Sequence, residues 1–300
     1  MPAAPTPATL VTAWTVQPVA IVAVVALVGW YARGARRGGI RPVQALVFAL
    51  GILALLWATC GFAGVYLDDL FYVWTAQQLG LLLVVPYLIL AGGPLRLAPR
   101  PIRRILDTRF AKTLANPLIG PALVPLLSIM LFFGPLPRWA IDVPVFGWIE
   151  QLLVVLIGCL IVLPLVGAGG IRSSLAVGLS LAIGSFELVL DAVPGIALRL
   201  HRSLATSYFD SRVLHDWSPA PLRDQQIAGA VLWCVAELLD LPFLVIVFRQ
   251  WLKADEKDAA DIDAVLDAER AARGEQTDDE TRDAPWWLSD PAWQERLRRR

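Results

Sequence analysis

The stretch FYVWTAQQLGLLLVVPYLILAGGPL, from Phe71 to Leu95, combines a long apolar run with polar and helix-breaking residues. It is long enough to cross a bilayer as a helix. Two adjacent glutamines, Gln77 and Gln78, lie near its start, and Pro86 interrupts it. Because lipid cannot hydrogen-bond to an amide, a membrane helix with such residues normally buries them against other helices. We therefore expect this segment to lie inside a helix bundle.

The composition of the whole chain is that of a polytopic membrane protein. Of its 300 residues, 57% are hydrophobic, and the mean hydropathy is +0.60. These values exclude an ordinary soluble domain. The expected fold class is all-α, a bundle of seven transmembrane helices of roughly 17–25 residues each. The seven predicted segments lie at about 15–32, 43–66, 71–93, 117–134, 147–169, 173–198 and 226–251.

The charges in the connections predict an orientation. Four arginines separate the first two segments, and six basic residues separate the third from the fourth. By the positive-inside rule these two loops are cytoplasmic, so the N-terminus lies outside and the C-terminus inside. The chain then divides into a short extracytoplasmic N-terminus at 1–14, a seven-helix transmembrane domain at 15–252 and a charged cytoplasmic tail at 253–300. The tail has a Trp/Arg-rich end.

Polar side chains inside the predicted spans form the candidate functional residues. Five of them are carboxylates, and no lysine or arginine lies at comparable depth. Such groups either join helices through polar contacts or mark a proton or cation site, and both interpretations stay open. The predicted polar intramembrane cluster consists of Gln77, Gln78, Glu150, Gln151, Glu187, Asp191, Glu237 and Asp240.

The chain has few residues suited to metal binding or catalysis. Cu(I) favours cysteine, methionine and histidine, but Met130 is the single internal methionine. His201 and His215 lie in one loop without a ligand spacing, and we expect both to be ordinary surface residues. We find no nucleophile–base pair and no phosphate-binding glycine loop. The sequence therefore predicts no enzyme, no metal, no cofactor and no nucleic-acid partner.

Four sequence blocks occur in an order typical of one membrane protein family. They lie in the third predicted segment, at the start of the fifth, at the start of the seventh and just after it. Together they resemble the CtaG-type cytochrome c oxidase assembly family, in particular its actinobacterial members, over roughly residues 43–267. The matching residues are Phe71, Gln77, Leu79, Leu81, Pro86, Gly93 and Pro94; Glu150, Gly158 and Pro164; Asp224, Gln225, Gln226, Gly229, Trp233 and Glu237; and Gln250, Trp251, Asp255, Glu256 and Lys257.

The resemblance implies a multi-pass protein of the bacterial plasma membrane that supports copper supply to, or maturation of, a haem-copper oxidase. Its implied partners are the lipid bilayer and cytochrome c oxidase subunits or other assembly factors. By this resemblance, the family's histidines and one methionine are replaced here. The replaced positions are Trp74, Gln78, Gly134, Gly147, Gln151 and, for the methionine, Leu232.

Glutamine does not replace imidazole as a Cu(I) ligand, because its amide oxygen is hard and its nitrogen is not basic. We therefore expect a divergent member that acts by protein–protein contact without a copper site of its own. Where relatives would have a metal site, we expect Gln78 to hydrogen-bond with Glu150 or Gln151. The alternative function is a proton or cation transporter that uses the intramembrane carboxylates.

Overall fold

The protein is described by a computed structural model that covers residues 2–98, 104, 108, 120–167, 178, 182, 190, 192–211 and 215–272. Every regular element within these ranges is helical. The helices are Thr9–Thr12, Pro18–Ala35, Pro42–Cys60, Phe62–Tyr66, Phe71–Leu79, Val85–Ala91, Gly120–Phe133, Leu136–Asp142, Pro144–Gly167, 192–200 and Pro221–Ala272. A π-helical turn lies at Gly80–Val84, and short 3-10 helices lie at Pro94–Leu97 and Ser207–Ser211.

Four helical segments of the described chain are long and apolar enough to cross a membrane. They are Pro18–Ala35, Pro42–Tyr66, Phe71–Ala91 and Pro144–Leu163. The predicted all-helical class is therefore confirmed for the described residues, which include four candidate membrane-spanning helices, whereas the count of seven spans and the orientation stay predictions. The predicted sixth segment falls largely outside the described residues.

The chain separates into two compact units, Met1–Trp251 and Leu252–Arg300. The described part of the second unit, 252–272, is helical and contains an ion pair between Arg270 and Asp267 at 3.2 Å. The Trp/Arg-rich end that we predicted for the tail lies outside the described residues. The predicted division into residues 1–14, 15–252 and 253–300 stays a prediction.

The segment Phe71–Ala91, which we call the central span, is the most buried of the four. Within its apolar window 72% of residues are buried, against 17% for Pro18–Ala35. It packs against Pro42–Tyr66 on one side and against the helix Pro144–Gly167, the Pro144 helix, on the other. Glycine permits the first contact, since a Cβ atom at Gly51 would lie 2.9 Å from the backbone nitrogen of Ile89.

The central span is not a regular α-helix throughout. The π-helical turn at Gly80–Val84 directly precedes the helix that contains Pro86. Proline has no amide hydrogen, and its ring displaces the carbonyl four residues earlier, which here belongs to Leu82. That carbonyl lies against the Pro144 helix, where a Cβ atom at Gly158 would be 2.0 Å from its oxygen. Glycine at 158 therefore allows the two backbones to meet at the interruption.

Candidate functional site

A distant carboxylate holds the Phe71 end of the central span. The backbone amide of Phe71 donates to Oδ2 of Asp224, and that of Tyr72 donates to Oδ1, each at 3.0 Å. The first amides of a helix have no partner within the helix, and a negative charge is favourable at that end. Asp224 is fully buried, so it acts as a long-range N-cap. This contact fixes the position of the glutamines that follow on the central span.

The next motif residue, Gln225, holds the loop that follows the helix at 192–200. Its Oε1 accepts a hydrogen bond from the backbone amide of Ala205 at 2.7 Å. Its Nε2 donates to the carbonyls of Ser203 at 3.1 Å and Leu198 at 3.4 Å. Both polar atoms of this fully buried side chain thus bind backbone groups of the helix end and of the loop that follows it.

Gly229 brings the long helix Pro221–Ala272 against the helix at 192–200. A Cβ atom at Gly229 would lie 2.6 Å from the carbonyl oxygen of Gly195. The carbonyl of Gln226 accepts from the Arg199 guanidinium at 3.4 Å. In this structure the conspicuous Asp224–Gly229 motif therefore makes architectural contacts, connecting a loop, a helix pair and the central span.

Aromatic side chains fill the Phe71 end of the bundle. The ring of Trp74 lies 5.7 Å from that of Phe71, 5.5 Å from that of Phe132 and 6.2 Å from that of Tyr208. We call Phe71, Trp74, Phe132 and Tyr208 the aromatic cluster, and each is at most 2% exposed. Their close packing leaves Trp74 surrounded by carbon rather than by metal-ligating groups.

The loop at 203–211 closes this cluster with two hydrogen bonds. The Tyr208 hydroxyl donates to the carbonyl of Leu67 at 2.6 Å, and the Ser207 hydroxyl donates to that of Gly134 at 2.8 Å. Two positions at which the resemblance places histidines, Trp74 and Gly134, therefore both contact residues of this loop, Tyr208 and Ser207 respectively. Both are occupied by groups that bind no metal.

Further along the central span, Gln77 and Gln78 are each 2% exposed and turn to different neighbours. Gln77 donates through Nε2 to the carbonyl of Ala58 at 2.8 Å. The Gln78 amide lies within interaction distance of the Glu150 carboxyl group on the Pro144 helix. Gln151, next to Glu150, is also buried. The structure thus brings Gln78 and Glu150 together.

Several atoms at this contact have no hydrogen-bonding partner. Although Gln78 and Glu150 approach each other, no hydrogen bond of acceptable geometry joins them. The buried polar atoms without a partner among the described residues are Thr75 Oγ1, Gln77 Oε1, Gln78 Nε2 and Oε1, and both carboxylate oxygens of Glu150. Native proteins rarely leave such groups unpaired, so a cluster of them is informative.

The remaining predicted carboxylates do not extend this cluster in the described part of the chain. Glu237 accepts a hydrogen bond from Nε1 of Trp233 at 2.5 Å, on the same helix and with Trp233 38% exposed. Asp240 lies in the long helix, but its side chain is not described. Glu187 and Asp191 lie outside the described residues. A convergence of all the predicted polar residues therefore stays a prediction.

One histidine has a more specific environment than the sequence suggested. Nε2 of His215 lies 2.6 Å from Oδ1 of Asp69, both side chains are less than 15% exposed, and the imidazole stacks on Trp217. The expectation of an ordinary surface residue is thus wrong for His215, although His201 is exposed. Asp68 and Asp69 are the only charges in their short connection, which was the available signal for a hydrogen-bonding partner.

The neighbouring carboxyl group of Asp68 is also perturbed. Desolvation by surrounding protein atoms, followed by the charge of Asp69, raises the pKa of Asp68 to about 6. Its side chain retains contact with solvent, so screening reduces the energetic effect of this shift. The described residues contain no group of three or more His, Cys, Asp or Glu side chains placed to hold a metal ion.

Comparison with known proteins gives one family. Residues 11–254 match the model of the cytochrome c oxidase caa3 assembly factor family. Uncharacterized proteins of Mycobacterium bovis and Mycobacterium tuberculosis are each 26% identical over 298 residues, covering 90% of this chain and 44% of theirs. One of Mycobacterium leprae is 26% identical over 270 residues, covering 83% and 40%.

The chain therefore spans less than half the length of these curated relatives. No solved structure matches it. The matched region nevertheless includes the central span, the Pro144 helix and the Asp224–Gly229 motif, which together build the site described above. This chain belongs to the cytochrome c oxidase caa3 assembly factor family.

Proposed function

We propose that this chain is a non-catalytic membrane factor of the bacterial plasma membrane that aids maturation or association of a haem-copper respiratory oxidase. It does so by contact with oxidase subunits or other assembly factors. The observation that carries this proposal is the match to the assembly factor family over residues 11–254. The four apolar helices supply the setting, because they give the chain extensive surface for lipid and for other membrane helices.

We further propose that the chain works without a copper site of its own. In support, Trp74 packs between Phe71, Phe132 and Tyr208, where the resemblance places a histidine. A Cu(I) site needs soft or imidazole ligands, and carbon-lined aromatic packing supplies none. The Gln78–Glu150 contact offers hard oxygen donors, which suit a different class of ion.

The experiment is affinity capture of the intact tagged protein from native membranes solubilised in mild detergent. We expect haem-copper oxidase subunits or known biogenesis factors among the captured proteins, quantified by mass spectrometry against an unrelated tagged membrane protein. Metal analysis of the same sample should give much less than one copper per chain. Capture without any oxidase or biogenesis protein would refute the assembly role.

Copper retained at one per chain after purification would refute the second part of the proposal alone. A Trp74→Phe variant is the matched control, because it replaces the indole with a smaller aromatic ring and so keeps an aromatic side chain in the cluster. We expect it to capture the same partners as the parent chain. Partner capture tests the assembly role and copper content tests the absence of a copper site, so each part of the proposal can be refuted without the other.

The alternative of a proton or cation transporter has less support. A conducting path needs polar groups that succeed one another through the membrane. Of the carboxylates with described side chains, Glu150 faces Gln78, whereas Glu237 pairs with Trp233 on a half-exposed helix surface. These two contacts do not by themselves supply such a succession.

A further inference from the structure

The strongest unexplained feature of the molecule is the group of unpartnered atoms around Glu150. Thr75, Gln78 and Glu150 are 0%, 2% and 9% exposed. Together they present four oxygens and one nitrogen that lack hydrogen-bonding partners in the described chain. Leaving that many polar atoms unpaired in a buried place is costly, so something should occupy the space between them.

Two helices bring Gln78 and Glu150 together, with Thr75 close to Gln78 along the central span. Thr75 and Gln78 are three residues apart and share one face of the central span. Gln78 interacts with Glu150, and one turn further on Leu82 meets Gly158. Because both contacts follow in the same chain direction, the central span and the Pro144 helix run parallel here. Gln78 and Glu150 thus meet across the two helices, and Thr75 lies one turn before Gln78 on the same face of the central span.

The chemistry of these unpartnered atoms indicates what kind of ligand would bind between them. The donors beside the four unpartnered oxygens are the two amide hydrogens of Gln78 and the hydroxyl hydrogen of Thr75, and neither group carries a positive charge. Among the described residues no basic side chain pairs with either carboxylate oxygen of Glu150. A positive charge would both coordinate the oxygens and neutralise the carboxylate.

Charge and hardness narrow the choice further. Carboxylate, amide and hydroxyl oxygens are hard donors, which excludes Cu(I) and favours alkali or alkaline-earth cations. One carboxylate balances one positive charge, whereas a divalent ion would leave net charge inside an apolar bundle. We propose that Thr75, Gln78 and Glu150 bind one monovalent cation of the sodium type at the interface of the central span and the Pro144 helix.

The cation would stabilise the interface as a third component. A ligand that binds only the folded state raises the free energy of unfolding by RT ln(1 + L/Kd), where L is the free ligand concentration. Sodium should therefore raise the melting temperature of the purified protein, whether or not any oxidase is present. This makes the inference independent of the assembly role.

The test measures thermal unfolding of the full chain in detergent, in NaCl against choline chloride at equal ionic strength. We expect Tm to rise with sodium concentration, an increase that Glu150→Gln abolishes and Thr75→Val weakens. Glu237→Gln is the matched control, because that carboxylate pairs with Trp233 elsewhere, and it should keep the full sodium effect.

Radioactive sodium binding to the parent chain and to Thr75→Val gives a second readout that does not depend on Glu150→Gln folding. We expect one saturable site per chain in the parent and a severalfold weaker one in the variant. An equal Tm in sodium and choline, with no saturable binding, overturns the proposal. So does a Tm that rises only on acidification, because Glu150 would then hold a proton.

Discussion

The carboxylate of Asp224 accepts the backbone amide of Phe71 at 3.0 Å, across 153 positions of the chain. The contact is an N-cap supplied from a different helix rather than from the residue before the first turn. Leu70, which occupies the usual N-cap position, makes no side-chain hydrogen bond to the helix. The start of the central span thus depends on a residue encoded far away.

Replacing Asp224 with alanine should destabilise the protein. The change leaves the amides of Phe71 and Tyr72 without their acceptor, and losing an N-cap costs about 0.5–2 kcal/mol. Because both amides lie in a buried region, we expect a value toward the upper end. The measurement is thermal unfolding in detergent, with Asp142→Ala, which breaks an exposed pair with Arg138, as control. Equal Tm values for the two variants would argue against the cap.

Replacing Gly158 with alanine should separate the central span from the Pro144 helix. A Cβ atom there would lie 2.0 Å from the Leu82 oxygen and 2.6 Å from Cγ of Pro86. Forcing extra volume into a packed contact costs about 1–3 kcal/mol. Gly80→Ala is the matched control, since nothing lies within 4 Å of its Cβ position. If the Tm of Gly158→Ala is no lower than that of Gly80→Ala, the backbones of the central span and the Pro144 helix are not in contact.

Truncating Trp74 to alanine should cost about 3–5 kcal/mol, as is usual for a buried aromatic residue. The loss reflects its ring contacts with Phe71, Phe132 and Tyr208. Trp139→Ala is the control, because Trp139 is 51% exposed. Unfolding of both variants, followed by tryptophan fluorescence and far-UV circular dichroism, checks the ranking. Similar losses at the two positions would contradict the packing described for the aromatic cluster.

The contribution of Asp68 to stability should fall as pH rises. Its folded-state pKa is raised from 3.8 to about 6, so the folded chain binds the proton more tightly than the unfolded chain. The contribution is therefore greatest below pH 4 and is lost as pH rises through about 6. Asp68→Asn should raise Tm relative to the parent at pH 7 and change it little at pH 4. Solvent contact of Asp68 makes this difference modest.

The difference in Tm between the parent and Asp68→Asn, measured from pH 4 to pH 8, isolates this group from other carboxylates. An Asp142→Asn series provides the baseline for an exposed aspartate. A difference that is constant across this range would show that Asp68 is not perturbed. A Tm difference that grows as pH falls would show that the pKa of Asp68 is lowered in the folded protein rather than raised.

The sequence predicted the features that depend on local composition. The apolar run around Gln77, Gln78 and Pro86 was sufficient to predict a buried, interrupted helix. The aspartate and glutamine of the Asp224–Gly229 motif were recognised, but their contacts were not. Those contacts join residues up to 153 positions apart, and no local pattern encodes which helix ends meet.

Two features arose only from packing between elements. The π-helical turn at Gly80–Val84 adjoins Pro86 and includes Leu82, whose carbonyl oxygen lies against Gly158 of the Pro144 helix. The pairing of His215 with Asp69 joins two connections that are 146 positions apart. The sequence shows that His215 and Asp69 are both polar, but only the folded chain shows that they are in contact.

The position of Asp224 in the chain also determines when this end of the bundle can form during synthesis. At about 5–20 residues per second, the ribosome needs roughly 8–30 s after making Phe71 before it makes the cap. The central span must therefore enter the membrane with its first amides uncapped and wait for the long helix. The tyrosine and serine that close the aromatic cluster, Tyr208 and Ser207, are made only shortly before Asp224. This end of the bundle can therefore be completed only after most of the chain has been synthesised.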